Sequence, residues 1–503
     1  MQRRVFLGCA LLAALGWALP GAHPLPAAVA APKERGFTLV HLNDFYRIEG
    51  MEGRRKGGIS RLGAALKRLR SRGEVLTLLG GDLISPSLMS REFGGTQMIE
   101  ALNIAGLDLA TFGNHEFDAK GPETLWARLA ESRFAWVSSN VRQADGKPFP
   151  GVANRVLRTV GGVRVGLFGL TIPSRRKPWV RYLDLFAAAK REAAALRREG
   201  AEMVIALTHL LLASDRELAR RVPGIDLIAG GHEHEATLAR EGRTLILKAD
   251  SDLRTIWVVE VRFPPESSKV PELRPQLIPL GEGAPREPAL RALEDRWLAR
   301  LARRLGPDEK VGESAVILDG LTSIVRFRES NLGNLIADAL REEGRCDTAA
   351  VNGGAIRIDE NITPGPLTRH RVAELFLFRN RVSRLSLQGR TLAAALDLAA
   401  GMRGQGGFLH LSGLRVEYAP SAPKGRRARR IEAGGEPLKP DRAYTFCTLD
   451  FIARGGDHYR MLAEEGTPLE ADAGNPEEML IRYIRRRGRV APRREGRIRF
   501  VSP

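Results

Sequence analysis

Five times between residues 36 and 260 a short apolar run ends in a cluster of polar residues and glycine. FTLVHLND closes on Asp44, VLTLLGGD on Asp82, DLATFGNHEFD on Asn114 and His115, MVIALTH on His209, and IDLIAGGHEH on His232 and His234. Apolar runs of this length bounded by turn residues read as buried strands. Stretches between them, such as GISRLGAALKRLRSRG and AAAKREAAALRREG, carry apolar residues near helical spacing and close on glycine. Strand and helix in alternation predict an α/β layered fold. Such folds gather ligands beyond the carboxyl ends of their strands, where all of these Asp, Asn and His residues sit. One Asp or His after a strand is ordinarily a turn residue; five such ends in one chain point to a common site.

The residue types fit a particular chemistry. Asp, Asn and His together form a mixed oxygen and nitrogen donor set, which suits Mn, Fe, Zn or Co better than the all-oxygen sites of Ca or Mg. About seven such groups exceed the needs of one ion and match two ions that share a carboxylate. Two metals roughly 3.5–4 Å apart can hold a bridging hydroxide, deliver it in line to phosphorus and neutralise the developing charge.

Taken together, GGD at Asp82, GNHEFD at 113–118, TH at His209 and GHEH at 231–234, with Asp44 ahead of them, resemble the ordered signature of calcineurin-like metallophosphoesterases. In the second half, RFRESNLGNLIADAL (326–340), NGGAIR (352–357) and DFIARGGDHY (450–459) resemble the C-terminal domain of the 5′-nucleotidase and UDP-sugar hydrolase family. The resemblance implies a layered calcineurin-like β-sandwich flanked by helices, followed by a second α/β (α+β) nucleotide-binding domain. By the same resemblance the metal ligands are Asp44, Asp82, Asn114, His209, His232 and His234 for two divalent or mixed-valence transition metals. Asp82 bridges them, Asn114, His209 and His232 serve one ion, and Asp44 and His234 serve the other. His115 stays off the metals, stabilising the phosphoryl transition state or protonating the leaving oxygen, while Asp118 orients its ring. A general acid beside a metal pair has to keep its proton in this way.

For the substrate, a small-molecule nucleotide, the resemblance implies Arg326, Asn352 and Arg357 on phosphate oxygens, a task that suits the arginine fork. It implies Phe378 and Phe451 on the two faces of the base and Asp457 on the ribose hydroxyls. Phe378 lies in LFLFRN, where the family has Pro-Phe-Gly. The implied activity is nucleotide phosphoester hydrolysis. Alternatives on the same scaffold are UDP-sugar, cyclic-nucleotide or thiosulfonate hydrolysis, and a nucleotide receptor with a degenerate metal site.

That last alternative rests on HLNDFYRIEG (41–50), where Tyr46 replaces the family's usual histidine. Residues two apart in extended chain face the same side, so Tyr46 faces whatever Asp44 binds. Three roles follow. The phenol ligates as phenolate, for which a hard ion such as Fe(III) has to lower its pKa of about 10. Or it leaves the coordination place to water and hydrogen-bonds there, or it turns away and packs.

Arg3 and Arg4 precede an apolar run, Val5 to Leu19, and a small-residue stretch ending AVAA. That is an export signal over residues 1–31, too short in its apolar part to span a bilayer, and QRRVFL resembles a twin-arginine signal. A periplasmic or secreted protein is expected, with the export machinery as partner and no stable membrane insertion after cleavage. The net charge of +19 is mostly arginine; the basic runs lack interleaved aromatics and any nucleic-acid fold motif, so they read as solvated surface and no nucleic-acid partner is expected. Cys346 and Cys447 have no metal-binding or redox spacing, and sequence leaves open whether they pair. The expected domains are 32–281 and 311–503, joined across 282–310 by an amphipathic helix with Pro288 near its start and Gly306-Pro307 at its stop.

Overall fold

The computed structural model describes residues 35–173, 177–263 and 270–502. The export signal expected at 1–31 lies outside the described residues. The N-terminal half is a sandwich of two sheets. One orders its strands Glu272–Pro279, Thr255–Phe263, Arg35–Leu42, Val75–Leu79, Leu109–Ala110, Ala135–Val137 and Val152–Ala153. The other runs Thr237–Glu241, Thr244–Lys248, Leu227–Gly230, Met203–His209, Val163–Thr171 and Arg155–Val160.

Alternation along the strands builds the layers. Phe37 and Leu39 face the opposite sheet and meet Ile205 and Leu207 across the sandwich. Val40 and Leu42 turn outward to the helices Ile59–Arg70, Thr96–Ala105 and Pro288–Leu305. Val204 and Ala206 do the same toward Leu185–Arg198 and Leu212–Arg221. With successive side chains on opposite faces, one strand feeds two cores. Each fully buried leucine contributes roughly 1.5–3 kcal/mol.

The five runs are strands, and those in each sheet are parallel: Arg35–Leu42 pairs with Val75–Leu79, which pairs with Leu109–Ala110, and Met203–His209 pairs with Leu227–Gly230. Their carboxyl ends therefore open on one edge of the sandwich. The helix Pro288–Leu305 has Pro at its start and Glu287 as its cap, accepting from the Leu290 N–H. It lays Leu290, Leu293 and Trp297 into the N-terminal core, so it belongs to that body's packing as well as leading onward.

The C-terminal half centres on a sheet ordered Leu409–Ser412, Thr348–Asn352, Ala443–Leu449, Val382–Gln388 and Thr467–Gly474. Helices Asn331–Glu343 and Pro476–Arg487 cover one face and Gly389–Gly401 the other. A disulfide joins Cys346, just past the first helix, to Cys447 in the central strand. The two halves meet through Leu88 against Ala373 and Leu377, an Arg254–Asp359 ion pair at 2.8 Å, and an Arg91–Glu477 pair at 3.0 Å.

His410 is a buried pH-sensitive point of this half. Its Nε2 lies 2.8 Å from the Val325 carbonyl, its ring packs on Gly333 where a Cβ would fall 2.2 Å from Cγ, and Nδ1 has no hydrogen-bond partner among the described residues. Burial lowers its pKa to about 4. The unfolded chain therefore binds the proton first, and stability falls as pH drops from about 6.5 toward 4. At pH 5 the loss is about 2 kcal/mol. Thermal unfolding of His410→Gln between pH 7.5 and 5 is expected to show a shallower decline than the parent; parallel declines refute this.

Candidate metal centre

The loops that follow the five strands are strained in a way that aims their side chains inward. Asp44, Asp82, His232 and His234 all have positive φ, at 50°, 59°, 93° and 63°. Non-glycine residues hold that conformation only where surrounding bonds impose it. Here the Asp44 N–H donates to the Gly81 carbonyl, the Phe45 N–H to the Asp82 carbonyl, and the Asp252 N–H to the Asp44 carbonyl. Gly113 is required by close approach: a Cβ there would sit 2.0 Å from Asp82 Oδ1.

The donor atoms converge. One ligand atom each from Asp44, Asp82 and His209, all buried, lie within 4.8 Å of one another. His209 Nε2 is 3.2 Å from Asp82 Oδ2 and 3.3 Å from His232 Nδ1. His234 Nε2 is 3.2 Å from Asp44 Oδ1. The Asn114 Oδ1 is buried with no hydrogen-bond partner among the described residues. Tyr46 does not turn away: its hydroxyl lies 3.0 Å from Asp44 Oδ1, 3.0 Å from Asp82 Oδ2 and 3.1 Å from His234 Nε2.

Electrostatics say what this cluster takes. Among the described residues no Lys or Arg ion-pairs with Asp44 or Asp82; the basic side chains within ion-pair distance of them are histidines. His209 Nδ1 donates to the Gly80 carbonyl at 2.8 Å, turning Nε2 to the carboxylates. Burial alone lowers the His209 pKa, but Asp82 and Asp44 reverse this and push it to about 10. Burial likewise raises Asp44, and His209 and His234 outweigh it to hold the acid well below its ordinary range. The centre demands positive charge, which a metal ion supplies in place of protons. With an orphaned amide oxygen and mixed N/O donors beside it, the site fits a transition metal.

His115 stands at the rim. Its Nδ1 is 2.8 Å from Asp118 Oδ2, which also accepts from Ser85 Oγ at 2.8 Å, and its Nε2 is 3.9 Å from Asp82 Oδ2. Phe378 from the other half stacks on the His115 ring, centroids 5.6 Å apart and planes 23° off parallel. The Arg357 guanidinium lies 5.3 Å from the Tyr46 ring centroid and 5.8 Å from that of Phe378. Arg326 is half-buried, and desolvation and then the charge of Arg357 lower its pKa. Among the described residues neither guanidinium ion-pairs with a carboxylate, and Arg357 lines a cleft together with Tyr46, His234 and Asp359. Asn352 and Asp457 form a second group, with Asn352 Nδ2 donating to Asp457 Oδ2 at 3.2 Å. Phe451 packs beside Gly456 in the same loop.

Three positioning residues escape a sequence reading. Glu116 accepts backbone N–H groups from Asp82, Leu83, Ile84 and Gly113, pinning two of the loops together. Burial, then the Asp82 charge, push its pKa to about 7. Asn43 bridges Asp44 Oδ2 to the Ala249 carbonyl. Lys248, buried, donates to the carbonyls of Leu210 and Gly231, which adjoin His209 and His232, and ion-pairs with Asp215 and Glu233. A lysine closing the apolar strand Thr244–Lys248 is a visible signal; Glu116 and Asn43 bond mostly to backbone groups that no motif names. Lys248→Met strands the buried Asp215 and removes the partner of the half-buried Glu233, and is expected to cost about 3 kcal/mol in denaturation and to weaken zinc binding. Unchanged stability refutes the positioning role.

Comparison with known proteins matches this geometry. The sequence profile of the calcineurin-like phosphoesterases matches residues 37–236, and that of the 5′-nucleotidase C-terminal domain matches residues 310–464. The chain is 27% identical to the 5′-nucleotidase of Bos taurus, with 96% of each chain covered. The solved 5′-nucleotidase precursor of Thermus thermophilus is 29% identical with a TM-score of 0.85, covering 93% of this chain and all of its own. A sulfate thiohydrolase of the same organism shares the fold, at 22% identity and a TM-score of 0.77 over 94% of this chain and 98% of its own. With both profiles in order along one chain and a buried Asp/His centre beneath the first, the protein belongs to the 5′-nucleotidase family and is a metallophosphoesterase.

Proposed function

We propose that the chain is an exported 5′-nucleotidase that hydrolyses nucleotide phosphoesters with two transition metals of the Mn, Zn, Fe or Co type. The observation that carries this is the juxtaposition of a buried Asp44–Asp82–His209 cluster with the His115–Asp118 pair and two arginines, Arg326 and Arg357, that have no carboxylate ion-pair partner among the described residues. Asp82, Asn114, His209 and His232 would hold one ion, and Asp44, Asp82 and His234 the other. Bound there, the metals supply an activated water and neutralise charge on the phosphoryl oxygens.

The chain's own groups do the rest. Arg326 and Arg357 bind phosphate oxygens and relieve their mutual repulsion by doing so. Asp118 accepts the Nδ1 proton of His115 and fixes the ring, so that Nε2 faces the site and delivers a proton to the leaving oxygen. Phe378 and Phe451 stack on the base, and Asp457 accepts from the ribose. Residues 32–281 form the catalytic half, 282–310 the connecting helix and 311–503 the substrate half. The basic, then apolar, N-terminal segment supports export to the periplasm or beyond by the twin-arginine route. Among the described residues no helix is long and apolar enough to cross a membrane.

A panel of AMP, UDP-glucose, a 2′,3′-cyclic nucleotide and bis(p-nitrophenyl) phosphate tests the reading. AMP is expected to show the highest kcat/KM, and failure with every member overturns nucleotide hydrolysis. Phe451→Ala is expected to raise KM for AMP about tenfold or more, the cost of one lost stacking face, while p-nitrophenyl phosphate turnover is unchanged. Equal losses on both substrates contradict a base-stacking role.

A further inference from the structure

Tyr46 contacts three donor atoms at once, and that number is informative. Its oxygen is 3.0 Å from a carboxylate oxygen of Asp44, 3.0 Å from one of Asp82 and 3.1 Å from His234 Nε2, while Asp44 Oδ1 and His234 Nε2 are themselves 3.2 Å apart. A phenol has one proton to donate, so it satisfies one of these acceptors and presents oxygen lone pairs to the rest. Donors about 3 Å apart on every side are the arrangement of ligands sharing one ion at bond lengths of roughly 2.0–2.2 Å.

The ring is held from several sides. Tyr46 is 5% exposed. Its N–H is held by Asp252 Oδ1 at 2.9 Å, and the rings of His234 and His115 and the Arg357 guanidinium enclose its own. Asp252 is itself fixed to Asp44 through its N–H and the Asp44 carbonyl, so the pair Asp44 and Tyr46 is placed as a unit. His234 also has positive φ, spending backbone strain to bring its Nε2 to the same point.

We propose that the Tyr46 oxygen is the direct ligand that completes the ion position formed by Asp44, Asp82 and His234. This rests on the metal-centre reading above. In that role Tyr46 would serve as phenolate, its proton released to solvent. Three oxygens and one imidazole make this position harder in donor character than the one served by Asn114, His209 and His232, and so suited to the more highly charged ion of a mixed-valence pair.

The test compares metal-depleted wild type with Tyr46→Phe and Tyr46→His, using zinc titration by calorimetry and ferric loading followed by visible absorption. Wild type is expected to bind two equivalents of zinc and to develop a phenolate-to-iron charge-transfer band. Tyr46→Phe is expected to keep the first equivalent, lose affinity for the second by on the order of 100-fold or more, and stay colourless. Tyr46→His restores the second equivalent without the band, which separates a lost ligand from a damaged fold. A Tyr46→Phe protein that binds both equivalents as wild type does, or a ferric wild type without the band, overturns the ligand role and leaves the metal centre standing. A wild type that binds no zinc overturns both readings.

Discussion

Asp82→Asn is expected to lower kcat/KM for AMP by about 10³-fold, the loss of several kcal/mol of charge stabilisation at the reacting centre. Asparagine has nearly the same shape, and its Oδ1 can still accept the His115 N–H that Asp82 Oδ1 accepts at 2.8 Å, so the loop remains in place. What disappears is the charge on the carboxylate that lies 3.2 Å from His209 Nε2 and 3.0 Å from the Tyr46 hydroxyl. In the buried, metal-free centre burial and the Asp44 charge oppose the Asp82 carboxylate, but His209 and His115 outweigh them and hold its pKa well below the ordinary carboxylate range. The substitution takes away the counter-charge of His209, so metal-free protein is expected to melt somewhat lower near neutral pH, while zinc affinity collapses. A variant that still binds zinc as wild type does contradicts the assignment.

His115→Ala is expected to lower kcat for AMP by 10²–10⁴-fold, the usual worth of a positioned acid, with both metals still bound. Its ring contributes no donor to the Asp44–Asp82–His209 cluster, so metal content separates it cleanly from the ligands. The leaving group supplies a second distinction. A nitrophenolate departs without protonation, so the loss with p-nitrophenyl phosphate is expected to be much smaller than with AMP; equal losses assign His115 to stabilising the phosphoryl group instead. Asp118→Asn acts through His115, by way of the 2.8 Å contact to Nδ1. Its effect is expected to vanish in the His115→Ala background, as a double-mutant cycle shows for residues acting as one unit.

The strand ends are the most legible part of this chain, since each candidate ligand terminates a buried apolar run and the run dictates both the strand and the loop after it. The sandwich core is legible for the same reason: the alternation of Phe37, Leu39 with Val40, Leu42 encodes two faces. What sequence withholds is whatever depends on which loops meet. Glu116 sits inside a quoted motif, yet its four backbone partners come from two loops that sheet pairing brings together. The Cys346–Cys447 bond needs the central strand to pass the end of the helix Asn331–Glu343, which is a matter of topology. Phe378 stacks on His115 because of how the two halves meet, and no local pattern encodes that. Tyr46 is the intermediate case: period-two geometry fixes the side it faces, but only the converging Asp44, Asp82 and His234 show what it faces.

Phosphate release from AMP, followed in chelator-treated protein before and after a transition metal is returned, tests the account most directly. Silent protein that recovers full turnover with Mn, Zn, Fe or Co is the predicted result. Turnover that chelation leaves untouched, or metal-loaded protein that leaves AMP intact, contradicts it.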